Sequence, residues 1–364
     1  MIVVEESVKH AMEFVKGIKS GSKVAIIHGH DNDSICSAAI MYKLLKDHNK
    51  ADVKTVISEF NFAISESVLD DIRRMKPNYI IAVDLSDINV EILTELRNTG
   101  RVMIIDHHVP KGYVKITYVN PRVYDKNIYI PTTYLAYKIY EKFLDPRNIL
   151  WIAGIGVLSD MGMKNCDDLF DNIKKMNKEL VGDNANMDEI LFEKSLLGKL
   201  SHMFNSARVV GGIDGSVTAL NALIKADGYQ DVLNGNFTEA KKILGLQGLV
   251  VKELNRLLKD FEKRGKKDKN LAVYEIKSKY NIKSLLASVL SKTVNSRVIV
   301  IYQKSGKYID VSFRRGSSMV NLNEISNNSV KGMTDSNAGG HPVAAGARFP
   351  ARYIGKFLAS LKGI

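Results

Sequence analysis

The strongest constraint on the fold is a set of four short apolar runs, rich in β-branched residues, in the first third of the chain. These runs are Val24–Ile27, Val53–Ile57, Tyr79–Val83 and Val102–Ile105. Such runs are typical of strands in a parallel sheet that helices cover on both faces. Helical spacing lies between them at Asp33–Lys46 and Glu66–Met75, so the pattern predicts an α/β fold with a parallel sheet.

The pattern changes twice along the rest of the chain. From Asp167 to Arg264 amphipathic helical spacing replaces the strand signals, and it ends in one long predicted helix at 237–264. Gly265 and clustered lysines end that helix, and short strand patterns return in 271–364. We predict an α/β domain with a helical extension over 1–225, a connector helix with a basic linker over 226–268, and a smaller α/β domain over 269–364.

Charge and cysteine content indicate the class of partner and the compartment. The 52 Lys and Arg residues exceed the 40 Asp and Glu residues, which favours polyanionic partners such as nucleic acid, although solubility alone also explains the excess. Cys36 and Cys166 form no Cys-x-x-Cys pair, so neither a disulfide framework nor a thiolate zinc site is indicated. The chain shows no signal-peptide pattern and no membrane-spanning run, so we expect a cytoplasmic protein with no membrane partner.

Ionisable side chains follow three of the four predicted strands and one further apolar segment. In open parallel sheets, ligands bind just beyond the carboxyl ends of the strands. A single Asp at such a place is more often a helix cap or a turn residue, but four groups at equivalent strand ends favour a site. The candidate residues are His28, His30, Asp31, Asp33, Asp84, Asp106, His107, His108 and Asp160.

The mixture of carboxylates and imidazoles predicts a pair of divalent cations. Two such ions about 3.5–4 Å apart need a bridging carboxylate with terminal His and Asp ligands. This donor set favours manganese, with magnesium or cobalt as alternatives. A metal pair of this kind activates water for attack on phosphorus, so the expected substrate is a phosphate ester or phosphoanhydride.

These motifs and their order resemble the DHH phosphoesterase family over nearly the whole chain. The family takes its name from a triplet that corresponds to Asp106-His107-His108, and its first motif corresponds to Asp31-Asn32-Asp33. Its second and fourth motifs correspond to Asp84 in VDLSD and Asp160 in GVLSDMG. The resemblance implies that Asp84 bridges the metals and that Asp31, Asp33 and Asp160 are further ligands.

The resemblance also assigns roles within the triplet. His107 is implied as a metal ligand and His108 as a residue that faces the substrate phosphate, with Asp106 orienting or completing the shell. The family places its first His two or four residues ahead of the first Asp, whereas this chain offers His28 three ahead and His30 one ahead. We favour His28, because it leaves the strand where a ligand would, and keep His30 as the alternative.

The C-terminal part resembles the DHH-associated domain. Its segment 338–346 is similar to a glycine-rich loop that grips a nucleic-acid strand, which implies substrate contacts for Gly339, Gly340 and His341. Ala338 stands where the family usually has a third glycine. The same resemblance implies a phosphate-binding arginine at Arg314 or Arg315, and the sequence does not decide between them.

A further patch points to a subfamily. Asn205-Ser206-Ala207-Arg208 resembles a segment of RecJ-type nucleases and implies substrate contact by Arg208, although a helix start rich in small residues also explains it. We expect a RecJ-like exonuclease that acts on single-stranded DNA or RNA, or on short oligonucleotides.

Rival interpretations use the same site differently. One is a small-substrate enzyme: a nano-RNase, a cyclic-dinucleotide phosphodiesterase, a 3'-phosphoadenosine phosphatase or, least of all, a family II pyrophosphatase. The other is a non-catalytic scaffold of a replication complex. The sequence also leaves open self-association and assembly with a replication or repair complex.

Overall fold

The computed structural model describes residues 2–60, 63–110, 112–113, 115–182, 194–268, 270–294, 298–316 and 319–363. The chain divides into two compact units, Met1–Gln247 (unit 1) and Gly248–Ile364 (unit 2). The three-part division at 225 and 268 stays a prediction.

A five-stranded parallel sheet forms the centre of unit 1, which confirms the predicted fold class. Its strand order is β2-β1-β3-β4-β5, so the chain steps outward from β1 to β2 and then returns to the other side of β1 for β3. The connections after β1 and β3 therefore lead to opposite sides of the sheet and leave a crevice at the carboxyl ends of these strands. The strands are β1 (Lys23–His28), β2 (Asp52–Ile57), β3 (Tyr79–Val83), β4 (Arg101–Ile105) and β5 (Thr117–Val119).

Helices cover both faces of this sheet, and each face has its own apolar core. The larger core joins α1, α2, α5, α6 and α9 to one face, and the smaller core packs α3 and α4 on the other. The helices of unit 1 are α1 (Ile2–Lys16), α2 (Asn32–Asp47), α3 (Glu66–Met75), α4 (Val90–Thr99), α5 (Thr132–Tyr140), α6 (Leu150–Ser159), α7 (Asp167–Met176), α8 (Lys178–Val181), α9 (Leu196–Lys225) and α10 (Tyr229–Leu233). α9 is kinked at Gly212, where φ is 58°.

The long predicted helix is present as α11 (Thr238–Arg264), which runs from unit 1 into unit 2. Unit 2 contains a six-stranded mixed sheet in the order β10-β11-β9-β8-β7-β6. Its elements are β6 (Lys266–Lys267), β7 (Leu271–Glu275), α12 (Lys283–Thr293), β8 (Val298–Ser305), β9 (Tyr308–Arg315), α13 (Leu322–Ser329), β10 (Asn337–His341), β11 (Ala344–Pro350) and α14 (Ile354–Ser360). Among the described residues, no helix has the length and apolar content needed to cross a membrane.

The sequence predicts a loop for the glycine-rich segment 338–346. In the structure this segment forms the greater part of a β-hairpin instead. β10 and β11 pair antiparallel around a turn at Pro342 and Val343. Gly340 has φ of 147°, and a methyl group there would lie 2.5 Å from the Ala344 carbonyl oxygen. Glycine is therefore required at this position by the backbone, whatever its role in binding.

The packing of α5 against α6 leaves no room for a side chain at Gly156. A methyl group there would lie 2.2 Å from Oγ1 of Thr133. We expect Gly156→Ala to lower the free energy of unfolding by about 1–3 kcal/mol, because the two helices must separate. Gly248→Ala is the control: that glycine lies inside α11 with no neighbouring atom within 4 Å, so the change should stabilise by roughly 0.5–1 kcal/mol. Urea denaturation checks both, and equal losses would contradict the argument.

Candidate metal centre

Two aspartates follow β1 and lie at the start of α2. The Asp31 side chain accepts a hydrogen bond from the Ser34 N–H at 3.0 Å and so caps the helix. The buried Asp33 carboxylate accepts the backbone N–H groups of Thr132 and Thr133, each at 2.8 Å. These amides begin α5, and a helix N-terminus stabilises negative charge. Burial nevertheless raises the pKa of Asp33 to about 6, since it removes the carboxylate from water.

Asp84 directly follows β3 and adopts a left-handed backbone conformation with φ of 59°. This conformation costs a non-glycine residue about 1–2 kcal/mol. Its carboxylate accepts the hydroxyl of Ser34 at 2.6 Å and that of Thr132 at 3.0 Å. Burial raises the pKa of Asp84, and the charges of Asp33 and other nearby carboxylates raise it further. The strained turn thus holds a carboxylate beside the β1 aspartates.

The two histidines that follow β4 differ in their surroundings. Nε2 of His107 lies 3.4 Å from Oδ1 of Asp84, 3.6 Å from Oδ2 of Asp160 and 4.0 Å from Oδ2 of Asp33. Burial lowers the pKa of His107 to about 3, so the ring is neutral at neutral pH, as a metal ligand must be. Nδ1 of His108 lies 2.7 Å from Oδ1 of Asp106. Burial lowers the pKa of His108, but the hydrogen bond and charge of Asp106 outweigh it, so the pKa rises.

Asp160 reaches the cluster from a helix, which corrects the expectation that it follows a strand. It is the C-cap residue of α6, and the next residue, Met161, is left-handed with φ of 52°. The Asp160 carboxylate accepts the Tyr129 hydroxyl at 2.9 Å, and the Tyr129 ring packs edge-on against His107 with centroids 5.2 Å apart. Burial raises the pKa of Asp160, and the Asp33 charge adds to this.

Sequence reasoning missed the neutral partners Ser34, Thr132, Thr133 and Tyr129. The sequence contains a weak local signal, because Thr132-Thr133 follows a proline and precedes a helical pattern. No sequence signal connects them to Asp33, which lies about a hundred residues earlier. The hydroxyls of Ser34, Thr132 and Tyr129 and the backbone N–H groups of Thr132 and Thr133 hold the carboxylates without adding charge.

The choice between His28 and His30 stays a prediction. His28 is the last residue of β1, and its Nδ1 lies 2.6 Å from the carbonyl oxygen of Gly29. An Nδ1–H donor in this contact leaves Nε2 as an acceptor, the form that a metal ligand requires. Burial lowers the pKa of His28 to about 4. Burial also lowers the pKa of His30, as does the nearby charge of Arg208.

The donor atoms that converge most closely come from five of the predicted residues. Asp84, His107 and His108 form one group and Asp33, His107 and Asp160 another, each with its ligand atoms within 4.8 Å of one another. Within the described part of the chain, His28, His30 and Asp31 join no such group. The charge of Asp31 still contributes to the raised pKa values of Asp33 and Asp84, so it lies in their neighbourhood.

The donor set fits divalent cations. Across the described ranges, no Lys or Arg forms an ion pair with Asp33, Asp84 or Asp160, and the only basic side chains paired with these carboxylates are histidines. Buried carboxylates without a countercharge are expensive, and bound cations are the usual compensation. Nδ1 of the buried His107 also has no hydrogen-bond partner among the described residues.

The predicted substrate contacts are distributed over both units. Arg208 lies in α9, where its guanidinium donates to Oδ1 of Asn205 at 2.9 Å. Arg314 donates to the hydroxyls of Ser284 and Ser288 of α12, so its guanidinium is already hydrogen-bonded within unit 2. Arg315, the next residue of β9, has no side-chain hydrogen bond or ion pair within the described ranges. The other predicted contacts, Gly339, Gly340 and His341, lie in β10.

Two protein-family models match the chain in the order of its two units. Residues 23–158 match the model of the DHH family, N-terminal domain, and residues 268–364 match that of the DHHA1 domain. The chain thus contains a DHH-family N-terminal domain followed by a DHHA1 domain. The triplet that names this family is Asp106-His107-His108, at the end of β4. No curated protein sequence gives a significant match, so the relationship is visible in the family models and in the fold.

Several solved structures match the fold of this chain over both of its units. RecJ in complex with Mn²⁺ from Thermus thermophilus matches with a TM-score of 0.71 at 16% identity, over 98% of this chain and 54% of that chain. This chain therefore spans about half the length of that protein. An exonuclease RecJ bound to manganese gives 0.69 at 16% identity, over 98% and 94%. CDC45 from Entamoeba histolytica gives 0.55 at 10% identity, over 98% and 97%. At these identities the likeness shows the fold.

Burial of the cluster, together with repulsion between its carboxylates, predicts how the stability of the metal-free protein depends on pH. Burial raises the pKa of Asp33 from 3.8 to about 6 and also raises that of Asp84, so the folded state binds more protons than the unfolded state in this window. The resulting stabilisation is present at low pH and is lost as the pH rises towards about 6 and above. We therefore expect Asp84→Asn to raise the Tm in EDTA at neutral pH by at least about 3 °C, and by less near pH 4.

Thermal denaturation across this pH range checks the prediction, with Asp52→Asn as the control because Asp52 is exposed at the start of β2. With manganese the wild type should have a higher Tm than Asp84→Asn, because the wild type gains stability from binding the metal and the variant does not. A Tm for Asp84→Asn below that of the wild type in EDTA would contradict the proposed repulsion.

Proposed function

We propose that this protein is a two-metal phosphodiesterase that acts as a RecJ-like exonuclease on single-stranded DNA or RNA. One observation carries the proposal: Asp33, Asp84, His107 and Asp160 converge in a buried site, with no Lys or Arg paired to these carboxylates in the described part of the chain. A site of this composition at the switch point of a parallel sheet suits chemistry on phosphate.

The geometry of the site supports the ligands proposed for the first cation, and the resemblance to the DHH family supports those proposed for the second. Asp33, Asp84, His107 and Asp160 would hold one cation, and Asp84 would bridge to a second that His28 or His30 and Asp31 complete. The ions are proposed as manganese, which imidazole and carboxylate ligands suit. Bound there, they would supply Lewis acidity at the phosphate oxygens and an activated water.

His108 and Asp106 have a different task in this proposal. The Asp106 carboxylate fixes the His108 ring through Nδ1 at 2.7 Å and favours its protonated form. Nε2 of His108 is then a charged donor for a phosphate oxygen, and it stabilises the negative charge that develops in the transition state. The charge of Arg208 lies close enough to His30 to lower the pKa of that histidine. This proximity supports Arg208 as a second cationic contact to the nucleic-acid strand.

Three features favour a polymer over a small substrate. The chain has a formal charge of +12, which supports binding of polyanions. The segment Asn205–Arg208 resembles RecJ-type nucleases, and the fold matches two RecJ structures over nearly the whole chain. The fold of CDC45 also matches, so the fold alone does not separate an enzyme from a scaffold, and the ligand set favours the enzyme.

The nuclease proposal predicts loss of activity when the carboxylates are neutralised. We expect Asp84→Asn and Asp106→Asn each to lower the rate of hydrolysis at least about 100-fold, because the first loses a bridging ligand and the second leaves His108 unoriented. End-labelled DNA and RNA oligomers of several lengths, digested with manganese and resolved on a gel, provide the measurement.

Asp52→Asn serves as the control and should retain full activity. Wild-type activity in either site variant would refute the assignment. Hydrolysis confined to dinucleotides, cyclic dinucleotides, 3'-phosphoadenosine phosphate or pyrophosphate would show that the substrate is a small molecule and not a polymer. A purified protein that binds no metal and hydrolyses none of these would favour the scaffold.

Substitutions of the two histidines of the triplet should have different effects on kcat and on manganese affinity. We expect His107→Gln to weaken manganese binding at least about 10-fold, because Nε2 faces three carboxylates. His108→Gln should lower kcat about 100-fold and change manganese affinity less than about threefold, because its Nδ1 is committed to Asp106. Calorimetric manganese titration and steady-state kinetics check this, and equal losses of metal affinity in both variants would make His108 a ligand.

A further inference from the structure

Asn120 is a buried polar residue that directly follows β5 and that the proposed chemistry does not yet use. Its side-chain Nδ2 donates to the backbone carbonyl oxygen of His108 at 2.9 Å, across a separation of twelve residues. A buried amide is costly unless its donors and its acceptor find partners, so the partners of Asn120 indicate its role.

The side-chain amide of Asn120 fits its surroundings in one orientation. Its Oδ1 accepts the backbone N–H of Arg122 at 2.9 Å and so caps the short 3₁₀-helix Pro121–Val123. The two N–H groups of Nδ2 point to the carbonyl of His108 and to the hydroxyl of Tyr118, which lies at 2.7 Å. A flipped amide would place oxygen against the carbonyl and nitrogen against the backbone N–H. The fold therefore fixes the donor to His108.

Two consecutive residues at the end of β5 hold both ends of the triplet. The backbone N–H of Asp106 donates to the carbonyl oxygen of Val119 at 3.0 Å, which extends the pairing of β4 with β5 by one residue. Asn120 continues this pairing with its side chain and holds the carbonyl of His108. His108 is therefore fixed at two points, at its backbone by Asn120 and at Nδ1 by the Asp106 carboxylate 2.7 Å away.

The second contact of Asn120 connects it to the segment after β3. The ring of Tyr118 packs edge-on against the ring of Tyr113, with centroids 5.0 Å apart. The hydroxyl of Tyr113 accepts the backbone N–H of Ile88 at 3.4 Å. This long contact is weaker than the one to His108. The contact to His108 is thus the stronger of the two links that Asn120 makes towards the site.

We propose that Asn120 is a positioning residue, which holds the backbone of His108 so that the imidazole presents Nε2 to the substrate phosphate. The role of His108 rests on the proposed function, whereas its contact with Asn120 does not. A group displaced by about 1 Å can lose roughly 100-fold in rate, so one buried hydrogen bond to the backbone can control the rate.

Two substitutions remove the Nδ2 donor and keep an acceptor for the Arg122 N–H. Asn120→Asp has nearly the same shape, and Asn120→Ser is neutral, with an oxygen that can still cap the 3₁₀-helix. Because one substitution adds a charge and the other does not, an effect shared by both comes from the lost donor. Tyr118→Phe is the matched control, since it removes the other partner of the same amide and leaves the donor to His108 in place.

Steady-state hydrolysis of end-labelled single-stranded DNA with manganese gives the first measurement. We expect Asn120→Ser and Asn120→Asp each to lower kcat about tenfold and to change KM and manganese affinity less than about threefold, because the metal ligands stay in place. Tyr118→Phe should keep kcat within about twofold of the wild type. Wild-type kcat in both Asn120 variants would overturn the proposal.

A double-mutant cycle with His108→Gln distinguishes positioning from a general loss of structure. If Asn120 acts through His108, Asn120→Ser should lower kcat less than about twofold in the His108→Gln background, because the group that it positions is already gone. The same tenfold loss in both backgrounds would show that Asn120 supports the fold in general, and it would contradict the positioning role.

A measurement without metal or substrate tests the inference independently of the proposed function. Histidine labelled at the ring carbon Cε1 gives separate NMR signals in EDTA, and His108→Gln identifies the signal of His108. At one fixed pH, that signal should shift or broaden in both Asn120 variants and stay in place in Tyr118→Phe. The signal of His48, which packs against Phe143, should not move in any of them.

An unchanged His108 signal in both Asn120 variants would refute the positioning role even if kcat falls. A wild type that hydrolyses nothing would refute the nuclease alone, and the ring signal would then decide the role of Asn120.

Discussion

Desolvation of clustered carboxylates, to which their mutual repulsion adds, is the constraint on which the candidate site of unit 1 depends. Asp33, Asp84 and Asp160 each approach one histidine nitrogen to 4.0 Å or less, and within the described ranges no Lys or Arg pairs with them. Each is held by neutral donors instead: a helix N-terminus for Asp33, two hydroxyls for Asp84 and a phenol for Asp160. Such donors orient the charges and leave them uncompensated, a state that suits divalent cations.

Packing and chemistry are coupled through the contact of α5 with α6. Thr133 fills the space that the missing side chain of Gly156 leaves, and the same threonine donates its backbone N–H to the Asp33 carboxylate and its hydroxyl to the Asp33 carbonyl. Asp160 ends α6, four residues beyond that contact. A change in the distance between these helices would therefore move the Asp33 and Asp160 carboxylates at once, so the close approach at Gly156 sets the width of the candidate metal centre.

The sequence alone determined the parallel sheet and the candidate ligands at the ends of its strands, because strand periodicity is local and His28, Asp84 and His107 lie at a strand end or within two residues of one. Tertiary structure decided the rest. Asp160 reaches the site from a helix, Thr132 meets Asp33 across about a hundred residues, and the glycine segment pairs as a hairpin. No local pattern encodes such contacts, since they arise only when distant helices and strands pack against one another and bring their ends to one side of the sheet.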